Sequence, residues 1–420
     1  MKLIFFTNYY SCLPLAQRCN KEIDTYVCYL GKKLLGWDKT GDGLINKITF
    51  KQLVDYLTRR PKDDIPVFIF DFNFYPELSD ELRKKGYPVL GDGKFNYTLE
   101  KDRMIGINFM KHRGINIPET HLFNSIQQGI TFVKQNKSID WVFKPCGSDE
   151  SDETLVAEDN VELIYKLNEL AEKKGDKVDF ILQKRIDDGI EISVEGWFAD
   201  GKWLFFDATL ERKRRLNDDL GENTGCAGDV VWLLDSNCKL VQEGIAKIGD
   251  FLKKINFNGM IDLNSIVNEN GELYGIEWTP RFGYNASFSL FQLFNSSISE
   301  FLIYTAFNKT PPSLDISNEF ACSVRQYLHK NIADQIIEYS PAYEDNVWLW
   351  AAYKKNGKIF TTEYDKEILV AIDRGKTIPE ARENVYKIAD KIKIIDIGYR
   401  TDIGIKAQKD FETLKKWDWI

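Results

Sequence analysis

Residues 258–283 read NGMIDLNSIVNENGELYGIEWTPRFG, two short apolar runs joined by NENG, each carrying one acid where a buried strand is uniformly apolar. A turn over residues 268–271 pairs Val267 with Glu272, and counting back along both runs sets Asp262 opposite Glu277. A tighter turn changes the register but keeps Asp262, Asn264, Glu277 and Thr279 on one face, because side chains alternate with period two. Carboxylates about 5 Å apart at Cβ repel each other, so on a half-buried sheet the pair needs a cation or a proton. Oxygen-only ligands suit a hard ion, Mg2+ (or Mn2+), which completes its shell with nucleotide phosphates and water. The competing reading is a hairpin whose acids face solvent.

Working outward, an apolar helical stretch at 287–307 follows the hairpin and a helix near 239–255 precedes it. Upstream, strands at 2–7, 66–72 and 87–90 alternate with helical patterns at 13–35 and 77–86, a small α/β sheet over the first hundred residues. From 101 to about 210 the pattern is mixed α+β, with strands near 141–145 and 180–185, a helix near 160–174, and the strands EISVEGWFA and KWLFFDATL. NKTPPSLD at 308–315 reads as a linker, since paired prolines stop helices and central strands alike. Beyond it lie further strands, one helix and a charged tail. The 420 residues, 43% hydrophobic and 29% charged, support two to four domains. A net charge of −8 argues against general nucleic-acid binding. Seven cysteines without C-x-x-C spacing fit reduced thiols in a cytoplasmic protein. The N-terminal run is too short for a signal peptide, and no stretch is apolar enough to span a membrane. DKTGDGLINKIT at 38–49 imitates a calcium loop, but Thr49 stands where a bidentate Glu is required, so it reads as a surface turn.

Other segments carry chemistry near the hairpin. Lys101 at a helix start and Lys144 at a strand end can flank an anion such as a triphosphate, or can be ordinary surface lysines. FILQKRIDDGIEISV supplies a hinge at 183–186, with Gln183, Lys184 and Ile186 able to present main chain to an adenine edge, and Glu191 set back for ribose hydroxyls. ERKRRLNDDLGENTGCAGD at 211–229 joins Lys213 and Arg214, which can neutralise phosphate oxygens, to a turn built of Gly221, Asn223, Thr224, Gly225 and Gly228 whose N–H groups can approach an anion. A flexible, solvated loop is the alternative. Arg281, four residues after Glu277, suits bidentate recognition of phosphate or carboxylate.

In this order the segments resemble the ATP-grasp superfamily and, within it, the phosphoribosylamine–glycine ligase family, from about residue 98 to 408. EKDRMIGINFMKHRGINIPE is similar to that family's Ser-Lys helix, VFKPCG to its Lys-Ala-Asp-Gly strand, and QKRIDDGIEISV to its hinge. Asp219, Gly221, Asn223, Thr224, Gly225 and Gly228 match Asp-Thr-Gly-x-Asn-Thr-Gly-Gly-Met-Gly, IEWTPRFG parallels the metal-binding Glu-x-Asn-x-Arg-Phe-Gly strand, and GYRTDIGIKA a C-terminal Tyr-Arg-x-Asp-Ile-Gly element.

The resemblance implies a multidomain α/β and α+β protein: a Rossmann-like domain at 1–100 on the acceptor side, an ATP-grasp domain at 101–310 with a lid near 119–190, and a small α+β domain at 316–420. It implies a ligase forming a carbon–nitrogen bond with ATP and Mg2+. ATP would meet Lys101, Lys144, Gln183, Lys184, Ile186 and Glu191; the metal would meet Asp262, Glu277 and Thr279. Lys213, Arg214 and Arg281 would be catalytic, and Asp219, Asn223, Thr224, Gly225 and Arg281 would bind substrate, with Arg281 on an amino-acid carboxylate and Asp219 on its ammonium. The expected partners are a small amino acid and an amine, in a monomer or homodimer. Three departures stand out. Asp149, Glu150, Asp152 and Glu153 occupy the place of a phosphate-covering Gly-rich loop, Thr279 replaces a metal-binding Asn, and the first hundred residues lack the Gly-x-Gly-Arg-Glu-His-Ala-Leu element of the phosphoribosylamine side. Two further functions therefore stay open: a ligase of this fold acting on another amine, such as a modified nucleotide, a peptide or an amino sugar, and a non-catalytic nucleotide-binding relative.

Overall fold

The structure is a computed structural model and describes residues 1–32, 35–146 and 154–420. The acidic residues Asp149, Glu150, Asp152 and Glu153 lie outside the described residues.

Near the N-terminus, the apolar run Leu3–Thr7 is buried at every position and takes Thr25–Tyr29 on one side and Val67–Phe70 on the other, all parallel. Continuous apolar runs are what a parallel sheet covered on both faces requires. Asn46–Lys47 and Val89–Leu90 complete a five-stranded sheet at its edges. The helix expected over 13–35 is shorter, Leu13–Asn20, because TYVCY is β-branched and aromatic and pairs with the first strand.

A second, antiparallel sheet of four strands is ordered Thr120–Phe123, Phe180–Lys184, Trp141–Pro145, Leu155–Val156. The helices Ile126–Gln135 and Asn160–Lys174 pack on it around a cluster of its own, including Trp141, Phe143, Leu163 and Phe180.

The largest sheet has nine strands. Its path runs Leu273–Thr279, Gly259–Val267, Ile190–Ala199, Lys202–Leu216, Leu220–Leu234, Phe320–Leu328, Glu367–Gly375, Val347–Leu349, with Ile397–Gly398 paired to Phe320–Leu328. Strands on both sides of the 308–315 linker thus share one sheet.

The opening hairpin differs in register from the sequence reading. Asn268 and Glu272 close the turn, the Asn268 N–H donating to the Glu272 carbonyl at 3.1 Å and the Glu272 N–H to Asn268 Oδ1 at 3.0 Å. A bulge at Ile276 adds a second step, so Asp262 faces Thr279 and Asn264 faces Glu277. The shift totals two residues, which preserves the side-chain face, and the four polar groups stay together.

Other elements are also shorter than their periodicity predicts. The helix expected near 239–255 breaks at Gly244 into Lys239–Glu243, a 3-10 turn and Gly249–Lys254. The stretch 287–307 divides into Ala286–Gln292 and Ile298–Ala306, the second capped by the Ser297 side chain. The calcium-loop imitation ends in Thr49, which caps Phe50–Arg59 in a reciprocal box with Gln52.

Candidate active site

On the nine-stranded sheet the polar groups of the hairpin contact one another. Asn264 Nδ2 donates to Thr279 Oγ1 at 2.9 Å, and Thr279 Oγ1 donates to Asp262 Oδ2 at 3.0 Å. Asp262 Oδ1 is buried with no hydrogen-bond partner. Burial raises the Asp262 pKa to about 7, against the pull of the Thr279 hydroxyl. Glu277 behaves oppositely. Burial disfavours its charge, yet Arg103, Lys213 and Lys144 outweigh burial and hold its pKa at about 2. Arg103 Nη1 lies 3.1 Å from Glu277 Oε2, and its Nε donates to the Pro145 carbonyl at 2.7 Å. Lys144 is 6% exposed, and desolvation lowers its pKa to about 8 although Glu277 works to raise it. Lys213 Nζ sits 3.6 Å from Glu191 and 3.7 Å from Glu211; burial opposes its charge, but these acids raise its pKa overall.

The structure therefore gathers Lys144, Glu191, Lys213, Asp262, Glu277 and Thr279. Lys101 points elsewhere: its Nζ is 5.1 Å from the Phe74 ring centroid, and it lines a cleft of about 790 Å3 with Asp102, Cys146 and Asp179. Lys101, expected at a helix start, instead ends the helix Lys94–Lys101, whereas Arg103, two residues on, opens the helix Arg103–His112 capped by Asp102 and lies beside Glu277. At the hinge, Gln183 is buried and donates to Thr120 Oγ1 at 3.1 Å, while the Lys184 N–H is taken by the Glu119 carbonyl at 2.8 Å and the Arg185 N–H by that of Asp140 at 2.8 Å. Ile186 follows, half-buried.

The segment 211–229 is not a glycine-built turn. Only Asn217–Asp219 turns; Leu220–Leu234 is a strand paired with Lys202–Leu216 through two irregularities. Thr224 Oγ1 donates to the Lys213 carbonyl at 2.9 Å, and Asn223 pairs with Arg214. Packing crowds two of the glycines: a Cβ on Gly225 would press the Tyr284 ring at 3.0 Å, and one on Gly228 would meet the Ser323 carbonyl at 2.6 Å. Arg214 donates to the Gly221 carbonyl within its own hairpin at 2.8 Å. Asp219 is engaged by Arg400, itself 2% exposed, at 2.8 Å and by Arg212 at 3.6 Å.

Arg281 contacts Glu100 at 3.0 Å, which raises its pKa despite burial, and Asn73 Nδ2 donates to the same carboxylate at 2.7 Å. Sequence reasoning missed Arg103, Glu100 and a row of acids. Asp262 faces Glu195, and Glu195 faces Asp207, across three adjacent strands. Glu195 and Asp207 are 5% and 1% exposed. Burial, with Asp262 beside it, lifts the Glu195 pKa to about 8, and burial with Glu195 lifts that of Asp207 well above the usual range.

Residues 102–286 match the family described as Phosphoribosylglycinamide synthetase, ATP-grasp (A) domain. Phosphoribosylamine–glycine ligase of Clostridium acetobutylicum is 26% identical over 355 residues, which cover 78% of this chain and 81% of that protein. The Helicobacter pylori enzyme is 26% identical over 348 residues, covering 79% of each. In three dimensions, phosphoribosylamine–glycine ligase of Thermotoga maritima aligns with a TM-score of 0.73 at 17% identity, covering 96% of this chain and 100% of that one. A biotin carboxylase from Campylobacter jejuni, solved as a β,γ-ATP complex, aligns at 0.68 and 12% identity, covering 99% and 96%. The chain has the ATP-grasp fold that these structures share, and residues 102–286 match an ATP-grasp domain family. It resembles phosphoribosylamine–glycine ligase over a stretch well beyond residues 102–286.

Proposed function

We propose that this chain is an ATP-dependent ligase that joins the carboxylate of glycine or another amino acid to an amine, releasing ADP and phosphate. The observation that carries the reading is Glu277, a carboxylate held ionised by Arg103, 3.1 Å away, and by Lys213 and Lys144. One carboxylate does not need three cations for its own sake. The arrangement suits a site whose remaining negative charge arrives with a polyphosphate.

Arg103, rather than Lys101, is the cation we assign beside Lys144 on the nucleotide, with Glu191 on the ribose and the 183–186 hinge on the base. The oxygen donors Asp262, Glu277 and Thr279, one of them the unpartnered Asp262 Oδ1, fit Mg2+ or Mn2+. Such an ion supplies charge neutralisation for phosphate oxygens. The amino-acid carboxylate attacks the γ-phosphorus and forms an acyl phosphate as ADP leaves. The amine nitrogen then attacks the acyl carbon, phosphate departs, and the nitrogen loses a proton. Lys144 and Lys213 neutralise the transferring oxygens, Arg281 orients the carboxylate, and holding both reactants in one cleft removes the entropy cost of their meeting. Asp219 is engaged by two arginines, so we leave the amino-acid ammonium unassigned.

The test is ADP release with glycine and a panel of amines. Glu277→Gln is expected to lower the rate on the order of 10²-fold or more. ATP turnover that ignores every amine and survives Glu277→Gln would remove the ligase reading.

A further inference from the structure

The helix Lys94–Lys101 ends one residue before the helix Arg103–His112 begins, and the joint between them touches both halves of the proposed site. Before the joint, Asn96 and Glu100 stand four residues apart on one helix face. Asn96 Nδ2 donates to the Pro280 carbonyl at 2.8 Å, and Glu100 Oε1 accepts from Arg281 Nε at 3.0 Å. One helix face thus holds the Arg281 side chain and the main chain just before it. After the joint, Arg103 lies 3.1 Å from Glu277 Oε2 and donates to the Pro145 carbonyl.

Glu100 is fixed in its turn. Asn73, three residues beyond the strand Val67–Phe70, sends its Nδ2 to Glu100 Oε2 at 2.7 Å, so each carboxylate oxygen has its own partner. The Glu100 and Arg281 side chains are 13% and 14% exposed, which leaves water little part in the pair. The guanidinium is held elsewhere too: Nη1 donates to the Phe282 carbonyl at 3.0 Å, and the Phe72 and Tyr284 ring centroids lie 4.7 and 5.6 Å from its carbon.

An arginine side chain is long and rich in rotamers, so fixing it before substrate arrives removes an ordering cost from binding. Geometry matters as much as affinity. Where a carboxylate must attack a phosphorus in line, misplacement by about 1 Å costs on the order of 10²-fold in rate.

We propose that Glu100 is a positioning residue, which holds Arg281 so that the bound amino-acid carboxylate is set at a fixed distance from Glu277, the joint 100–103 serving as the ruler. This rests on the ligase reading, in which Arg281 takes that carboxylate. Glu100 acts through Arg281 and not on the substrate itself.

The test measures ADP release with each of the twenty common amino acids, using hydroxylamine as the amine, which captures an acyl phosphate as the hydroxamate and frees phosphate. For the best amino acid and for ATP, kcat and KM are then compared among variants. Glu100→Asp keeps the charge and draws it back by one methylene; it is expected to lower kcat/KM for the amino acid about fivefold or more, with the KM for ATP within about twofold. Glu100→Gln loses the charge but keeps the reach, so it should stay closer to the wild type. Its amide oxygen still accepts from Arg281 Nε, and a flip of Asn73 turns that residue's unpartnered Oδ1 to the new N–H. In an Arg281→Ala background, Glu100→Asp should add less than about twofold, because nothing is left to position. Full kcat/KM in Glu100→Asp, a larger loss in Glu100→Gln than in Glu100→Asp, equal losses for ATP and amino acid, or losses that multiply in the double variant would each overturn the proposal. Wild-type ADP release that responds to no amino acid strikes the ligase reading and this proposal with it; the other results strike the proposal alone.

Discussion

Two residues carry the sharpest expectations. Arg103 and Lys101 are two positions apart, yet one pairs with Glu277 and the other lies over Phe74. Arg103→Ala is expected to weaken ATP binding about tenfold or more in calorimetry, as loss of a charge-assisted contact does, while Lys101→Ala stays within about twofold. Equal effects would return Lys101 to the nucleotide. Glu195 governs stability. Its folded pKa is raised to about 8 by burial and by Asp262, so the stability it contributes is complete below its unfolded value and is lost as pH rises through about 8. In the presence of a chelator, Glu195→Gln should raise Tm by about a few degrees at pH 8.5 and little at pH 4.5. A gain equal at both pH values would mean that Glu195 is not protonated in the fold. The oxygen-rich face of the hairpin was legible because alternation survives any even shift of register. Arg103 was not, since its partner lies 174 positions away, and neither were Glu195 and Asp207, whose partners are set by pairing between strands distant in sequence.

Glycines and turn residues misled at the level of elements. LGENTGCAGD reads as a phosphate-cradling loop, but its glycines serve a strand packed against Tyr284 and the neighbouring Phe320–Leu328 backbone. Gly228→Ala forces a Cβ into the Ser323 carbonyl and should cost about 1–3 kcal/mol by chemical denaturation, the range for overpacking. An unaffected midpoint would show that the two strands can separate there. Periodicity alone could not reveal the bulge at Ile276 or the breaks at Gly244 and after Gln292, because each is set by packing against residues distant in sequence. Buried β-rich runs such as LIFFT and VFIF were legible, since a strand covered on both faces leaves little room for polar side chains.

Across the whole molecule, the far C-terminal residues reach back to the hairpin that opened the sequence reading. Trp419 is fully buried, its Nε1 donates to the Asn268 carbonyl at 2.9 Å, and its own carbonyl accepts from the Leu240 N–H at 3.0 Å. Trp419→Ala removes a large core side chain and a partner of the turn between Asp262 and Glu277, so a loss of about 3–5 kcal/mol and a fall in ADP release are expected together. Full activity with that loss of stability would separate the hairpin turn from the cleft. The central claim is that an amino-acid carboxylate is phosphorylated before an amine captures it. Glycine labelled with oxygen-18 in its carboxylate, supplied with ATP and an amine that supports ADP release, should pass one labelled oxygen to the inorganic phosphate. Phosphate released without label would contradict the acyl-phosphate route and the ligase account built on it.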